Sequence, residues 1–237
     1  MSKPFRFKHF SVEQDRCAMK IGTDAVLLGA WAELDAQPTS ILDIGAGTGV
    51  LALMLAQRSS AELIDALEID DAAYEQCVSN FENSDWGDRL FCYHAALDEF
   101  TEEIEEHYDL IISNPPFYTE AFKSGNEKRN TARFEDAMPF SELLKSVSKL
   151  LSKSGHFNVV IPYSEQSFFI ELAKNVGLYP YRILNVRGQK SSPIKRSLLD
   201  FTAQKQAVKT TELTIEIERH HYTKEYSALT KDFYLKL

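Results

Sequence analysis

The sequence predicts an α/β fold, a doubly wound and mostly parallel sheet with helices on both faces. Three observations lead there. Apolar runs of strand length alternate with stretches of helical periodicity. One run, Ser40 to Ile44, leads into Gly45-Ala46-Gly47-Thr48-Gly49 and then into a helical stretch. Another, Tyr108 to Ser113, stops at Asn114-Pro115-Pro116-Phe117. Two prolines remove two backbone donors and fix φ twice, so neither strand nor helix continues through them. The carboxyl end of a strand is where open α/β sheets hold their ligands.

The elements follow in order. Phe5 to Phe10 alternates aromatic with basic or polar residues, as a short strand or an ordered arm. Thr23 or Asp24 is placed to cap a helix that buries Val26, Leu27 and Trp31. After the first strand and glycine turn, a helix runs through Leu51 to Gln57. The second strand, from Leu63, loses its apolar pattern at Glu68, and a helix from Asp71 to Glu82 follows. Arg89 to His94 is the third strand and Tyr108 to Ser113 the fourth. Tyr118 to Phe134 lacks periodicity and reads as a substrate loop. Then come a helix (Glu142 to Leu151), a fifth strand (Gly155 to Pro162) and a helix from Glu165 to Val176 that Gly177 ends. Leu178 to Val186 and Ser197 to Gln204 are the last core strands, and Glu212 to Glu218 alternates as an additional one. No repeat or interdomain linker interrupts residues 1–237, which read as one domain.

Composition narrows the class. With 44% hydrophobic and 26% charged residues, the chain has the make-up of a soluble globular protein. No apolar run spans a bilayer, and the start lacks the apolar core of a signal peptide. Cys17, Cys77 and Cys92 are too scattered for a disulfide framework or a metal site, and read as reduced thiols of a cytoplasmic protein. The net charge of −9 argues against a polyanionic partner until its distribution is seen. Ala61 to Asp109 holds sixteen acidic residues and one basic, whereas Arg182 to Lys209 holds seven basic and one acidic. A chain so divided can meet a polyanion with one face.

The Pro-Pro turn carries the chemistry. Asn114 offers a side-chain carbonyl, the prolines offer carbonyls without a neighbouring N–H, and Phe117 offers a flat face. Acceptors beside a stacking ring suit a planar substrate with an exocyclic amino group. The competing reading is a proline-rich surface turn with a core aromatic.

Asn114-Pro115-Pro116-Phe117 resembles the (Asn/Asp/Ser)-Pro-Pro-(Tyr/Phe) motif of S-adenosylmethionine-dependent amino-group methyltransferases. Phe5 to Trp31, Asp43 to Gly49 and the tail from Tyr226 to Leu235 join it in resembling one subfamily along nearly the whole chain, the bacterial tRNA(Val) adenine-37 N6-methyltransferases. The resemblance implies a Rossmann-like class I methyltransferase with seven core strands in the order 3-2-1-4-5-7-6, the seventh antiparallel. It implies methyl transfer from S-adenosylmethionine, leaving S-adenosylhomocysteine, to N6 of an adenine beside the anticodon, without a metal. Asn114 and Pro115 would accept hydrogen bonds from the target amine, and Phe117 would stack on the base. Thr23, Asp43, Gly45, Gly47, Gly49, Glu68, Ile69, Ala96 and Asn114 would bind the cofactor, with residues 1–20 as an arm at the cofactor and substrate side. Glu68 is preferred to Asp70 as the ribose acceptor because the strand pattern ends there. Ala96 departs from the family, whose members often carry an Asp there for the adenine amine; Asp98 stands two residues on. The partner would be tRNA, with Lys128, Arg129 and Arg133 near the anticodon loop and Lys190, Lys195 and Arg196 on phosphates; no membrane or obligate protein partner is implied. Three other functions fit parts of the pattern: methylation of another RNA or DNA adenine, methylation of a protein glutamine, and RNA or nucleotide binding without catalysis.

Overall fold

The computed structural model describes residues 3–116 and 139–236. The chain opens with a small antiparallel hairpin, β1 (Phe5–Arg6) and β2 (Ser11–Val12). The main sheet has nine strands: β3 (Ser40–Ile44), β4 (Leu63–Glu68), β5 (Leu90–His94), β6 (Tyr108–Ser113), β7 (Leu151–Pro162), β8 (Tyr179–Gln189), β9 (Ile194–Thr202), β10 (Lys209–Glu218) and β11 (His221–Tyr222). Their spatial order is β11-β10-β8-β9-β7-β6-β3-β4-β5. Counted from β3 as the first, seven of them lie 3-2-1-4-5-7-6, and β9 runs antiparallel to both neighbours. β10 extends this core parallel to β8, and β11 turns back on β10.

Strand periodicity sorts the core into two layers. Ile41, Ile112 and Val160 point to one face, where α1 (Thr23–Trp31), α2 (Val50–Arg58), α3 (Asp71–Glu82) and α7 (Lys224–Thr230) cover them with Leu28, Leu53, Phe81 and Tyr226. Leu42, Ile111 and Phe157 point to the other, under Phe100, Leu144 and Phe169 of α4 (Leu97–Glu103), α5 (Phe140–Leu150) and α6 (Gln166–Asn175). The central strands are apolar on both sides because both sides are covered. α2 is buried from Val50 to Ala56, between the sheet and α1. Met54 packs so closely on Gly29 of α1 that a Cβ there would come within 2.8 Å of its sulfur.

The two ends of the chain meet. Lys8 N–H donates to the Phe233 carbonyl at 2.9 Å, and Phe7 pairs with Tyr234 in a β-bridge. The start of α1 corrects the sequence expectation: Gly22 occupies the cap position and no side chain caps the helix. Thr23 is already helical, and the Asp24 carboxylate turns instead to Arg196 Nε at 2.7 Å. Tertiary ion pairing has taken the side chain that local propensity would use as a cap.

Candidate active site at the carboxyl edge of the sheet

Register brings the two sequence motifs together. Ile44 of β3 is paired on one side with Ser113 of β6 and on the other with Leu67 of β4. The residues that follow, Gly45, Asn114 and Glu68, therefore leave three adjoining strand ends side by side. The Ser113 hydroxyl, buried, donates to the Ile44 carbonyl at 2.8 Å and fastens the start of the Pro-Pro turn to the start of the glycine turn. Pro115 is buried, while Asn114 and Pro116 are half-buried.

The glycine turn is an open cradle. Gly45 and Gly47 adopt φ of +72° and +55°, and a Cβ on either would meet nothing within 4 Å. Gly49 serves packing instead: its Cβ would fall 2.5 Å from Phe81 and 2.8 Å from the Cys77 sulfur. Glu68 closes the turn from β4, accepting from Gly47 N–H at 2.7 Å and from the Ile69 and Asp70 N–H groups at 2.9 Å each. Asp70 accepts from Ala73 N–H and caps α3. That use separates it from Glu68, whose carboxylate faces the turn.

Asp43 lies wholly buried beneath the turn. Its Oδ2 accepts from Ala52 N–H at 3.2 Å, and its Oδ1 has no partner. Burial, with Glu68 nearby, pushes its carboxyl up to about 7. Such a group is primed for a cation, which would repay its desolvation. Ile69 leaves a large apolar side chain 68% exposed just past Glu68, a surface that a purine could cover.

The arm is strapped over this region by two buried amides of α3. Asn80 exchanges hydrogen bonds with both backbone groups of Glu13 and also donates to the Thr48 carbonyl in the glycine turn. Gln76 accepts from Arg16 N–H. Burial, then the Glu68 and Asp70 carboxylates, push the Cys17 thiol up to about 11, so it stays protonated beside the acidic strand end. The sequence reading missed Gln76 and Asn80. Their signal was available: two amides four residues apart on the face of α3 that also carries Ala73, Cys77 and Phe81.

Residues 20–177 match the methyltransferase small domain family. The chain is 63% identical to the tRNA1(Val) (adenine(37)-N6)-methyltransferase of Christiangramia forsetii, covering 100% of this chain and 99% of the relative. It is 60% identical to the protein of that name from Flavobacterium psychrophilum (98% and 100% covered) and 47% identical to one from Bacteroides fragilis (100% of both). The chain belongs to this methyltransferase family. Solved structures share its fold at low identity. A protein from Agrobacterium tumefaciens, described as a predicted O-methyltransferase, aligns at TM-score 0.65 and 19% identity over 89% of this chain and 96% of its own. A ribosomal protein L11 methylase from Lactobacillus delbrueckii aligns at 0.53 and 16% over 75% and 76%.

For a class I methyltransferase the methyl donor is S-adenosylmethionine, and the residues present fit it. The orphaned Asp43 Oδ1, the open cradle at Gly45 and Gly47, the Glu68 carboxylate and the exposed Ile69 face would offer it a cation partner, space, a hydroxyl acceptor and a purine surface. Ala96 occupies the cap position before α4, its N–H bonded at 3.4 Å to Glu99, and Asp98 is exposed on that helix's first turn. Thr23 stands at the start of α1, next to the arm.

The nucleic-acid candidates divide. Phe117, Lys128, Arg129 and Arg133 lie outside the described residues. β8 runs parallel to β7, because both are antiparallel to β9, so the β8–β9 turn lies on the same edge as Asn114. Lys190 and Lys195 are exposed there. Arg196 is tied to Asp24, Arg187 to Glu212 at 2.6 Å, and Arg182 to Asp200 and Glu33 at 3.0 Å each. Sequence counts all these cations alike, whereas the fold commits the three arginines to carboxylates. Among the described residues no cluster of three or more His, Cys, Asp or Glu could hold a metal ion, and no helix is long and apolar enough to cross a membrane.

Proposed function

We propose that this chain methylates N6 of adenine 37 in valine tRNA, with S-adenosylmethionine as donor and no metal, in the cytoplasm where tRNA is used. One observation carries the reading: the register that sets Asn114 beside the glycine turn and Glu68. The names of relatives 47–63% identical over their full length support adenine 37 and valine tRNA as the target.

The donor supplies an activated methyl group on a sulfonium. The chain's task is to place a poor nucleophile, since the N6 lone pair is delocalised into the adenine ring. Asn114 Oδ1 and the Pro115 carbonyl would accept the two N–H bonds, turning the lone pair out of the ring plane and toward the methyl group. Positive charge grows on N6 in the transition state, and the same carbonyl dipoles stabilise it. Phe117 would stack on the base, a contact worth roughly 1–3 kcal/mol on other base platforms. A loop adenine is cheap to extrude because it is already unpaired.

Nucleoside mass spectrometry of valine tRNA incubated with enzyme and cofactor tests the reading. N6-methyladenosine at position 37 is the expected product. Equal methylation of an adenine-containing DNA duplex or of a release-factor glutamine would replace it with one of the other methyl acceptors. Asn114→Ala should abolish transfer while cofactor and tRNA still bind, Phe117→Tyr should stay active, and Phe117→Ala should lose more. A parent rate in Asn114→Ala would make the Pro-Pro turn a structural bend.

A further inference from the structure

A separate cavity lies on the same edge of the sheet, and of the candidate cofactor residues only Thr23 lines it. It measures about 390 Å3, within the range of about 300–1,000 Å3 usual for small-ligand sites. Aromatic side chains line it: Phe5 of the arm, Tyr222 and Tyr234, all half-buried, and Tyr226, which is buried. These rings brace one another, with centroids 5.0 Å apart for Tyr222 and Tyr226 and 6.5 Å for Tyr226 and Tyr234. Burial raises the Tyr226 and Tyr234 phenols, which share a hydrogen bond, so both stay neutral toward an anion. Lys236 and Glu216 add one cation and one acceptor at the rim.

Its position relates it to the active edge. Gly188 is the penultimate residue of β8 and Glu216 lies near the end of β10, two strands parallel to β7, so both stand at the carboxyl edge. The opposite wall is the start of α1 at Thr23, held over β9 by the Asp24–Arg196 ion pair. Lys190 is exposed two residues beyond Gly188.

We infer that this cleft takes a second, unstacked nucleotide of the same tRNA, its base against Tyr222 and Tyr234 and its phosphate toward Lys236 and Lys190. The inference rests on the tRNA reading above. Flat rings accept any base through its π-face, and single-stranded RNA is held by such platforms beside cations. Glu216 would accept from a base amino group. Extruding adenine 37 breaks its stacking with its neighbours, and a separate pocket for another loop base would hold the splayed conformation that presents N6. The arm and the tail both line the cleft, which gives a functional reason for the chain to bring its ends together.

Gly188 provides the test. A Cβ there meets nothing within 4 Å and its φ lies outside the left-handed region, so Gly188→Leu fills the cleft without backbone strain. Gly188→Leu and Tyr222→Leu should raise the Kd for valine tRNA about tenfold, the order of one lost base stack, with cofactor affinity and melting temperature of Gly188→Leu unchanged. Ultraviolet crosslinking of tRNA to the parent should mark the peptides carrying Tyr222 or Tyr234. Unchanged tRNA affinity in folded Gly188→Leu overturns the inference and leaves the methylation reading intact. Weakened cofactor binding with unchanged tRNA binding assigns the cleft to the cofactor and overturns it as well. If the parent fails to methylate adenine 37, the methylation reading falls, and the crosslink decides the cleft: a mark at either tyrosine upholds an RNA nucleotide there, and its absence refutes it.

Discussion

Glu68 and Gly47 are joined by a 2.7 Å hydrogen bond from the Gly47 N–H to the Glu68 carboxylate, which ties the end of β4 to the glycine turn that follows β3. With Ile69 and Asp70 also donating, three of the carboxylate's roughly four acceptor positions are in use. As the proposed ribose acceptor, Glu68 would meet one hydroxyl at once, and a second only if Gly47 lets go. Glu68→Gln turns one oxygen into a donor and sets it against a backbone N–H. Cofactor affinity should fall by about 1.5–3 kcal/mol, roughly ten- to a hundredfold. Asp70→Asn, which keeps a capping oxygen for Ala73, should bind normally. Calorimetry on both variants reads the difference, and equal losses would transfer the ribose role to Asp70.

The glycines of one motif should fail in different ways. At Gly47 an added methyl finds open space, and the cost is the left-handed φ of +55°, about 1 kcal/mol. Gly47→Ala should fold and lose cofactor affinity, because the methyl projects into the cradle. At Gly49 the methyl meets Phe81 and Cys77 in the core as well as a φ of +78°. Gly49→Ala should cost roughly 2–4 kcal/mol of stability. Thermal melts with and without cofactor separate the two, and similar melting temperatures would refute the division.

Most of the fold was legible because local signals agreed with tertiary structure. Strand patterns at Ser40, Leu63 and Tyr108 are apolar on both faces and end at glycine, acid or Pro-Pro, so they mark a parallel core and its ligand edge without coordinates. What stayed illegible depends on distant partners. Asp24 reads as a cap until Arg196 arrives from 172 residues away. Arg182 and Arg187 read as RNA-facing charge until β9 and β10 set Asp200 and Glu212 beside them. The aromatic cleft is assembled from Phe5 and Tyr234, at opposite ends of the chain, and no periodicity links them.

Asp43 should make cofactor binding pH-dependent. Its folded-state pKa of about 7 lies above the usual carboxylate value of about 4, so the cofactor-free protein holds a proton there that the unfolded chain has lost. That proton's contribution to stability is complete below about pH 4 and disappears as pH rises through about 7. A bound ammonium reverses the preference by stabilising the carboxylate. S-adenosylmethionine affinity should therefore weaken as pH falls from about 8 to 6, and binding at pH 7 should release a fraction of a proton. Calorimetry in buffers of different ionisation enthalpy measures that release. Asp43→Asn should remove both the release and the pH dependence of affinity; if release persists in that variant, another group titrates.

Arg196 and the two lysines of the β8–β9 turn should separate under salt. The Asp24–Arg196 pair joins α1 to β9 with both side chains about one-third exposed, which places its worth near 1 kcal/mol or below. Asp24→Ala should lower the melting temperature by a small amount, and adding Arg196→Ala should lower it by less than the sum of the two single variants, the shortfall measuring the contact they share. Lys190 and Lys195 are exposed on the active edge, and each phosphate they neutralise releases a counterion. Lys190→Ala and Lys195→Ala should each flatten the slope of log affinity for tRNA against log salt by roughly 0.7–0.9, at unchanged stability. Arg196→Ala should leave that slope near the parent's. Should it flatten the slope as much as a lysine variant does, the ion pair opens on binding and Arg196 exchanges Asp24 for an RNA phosphate.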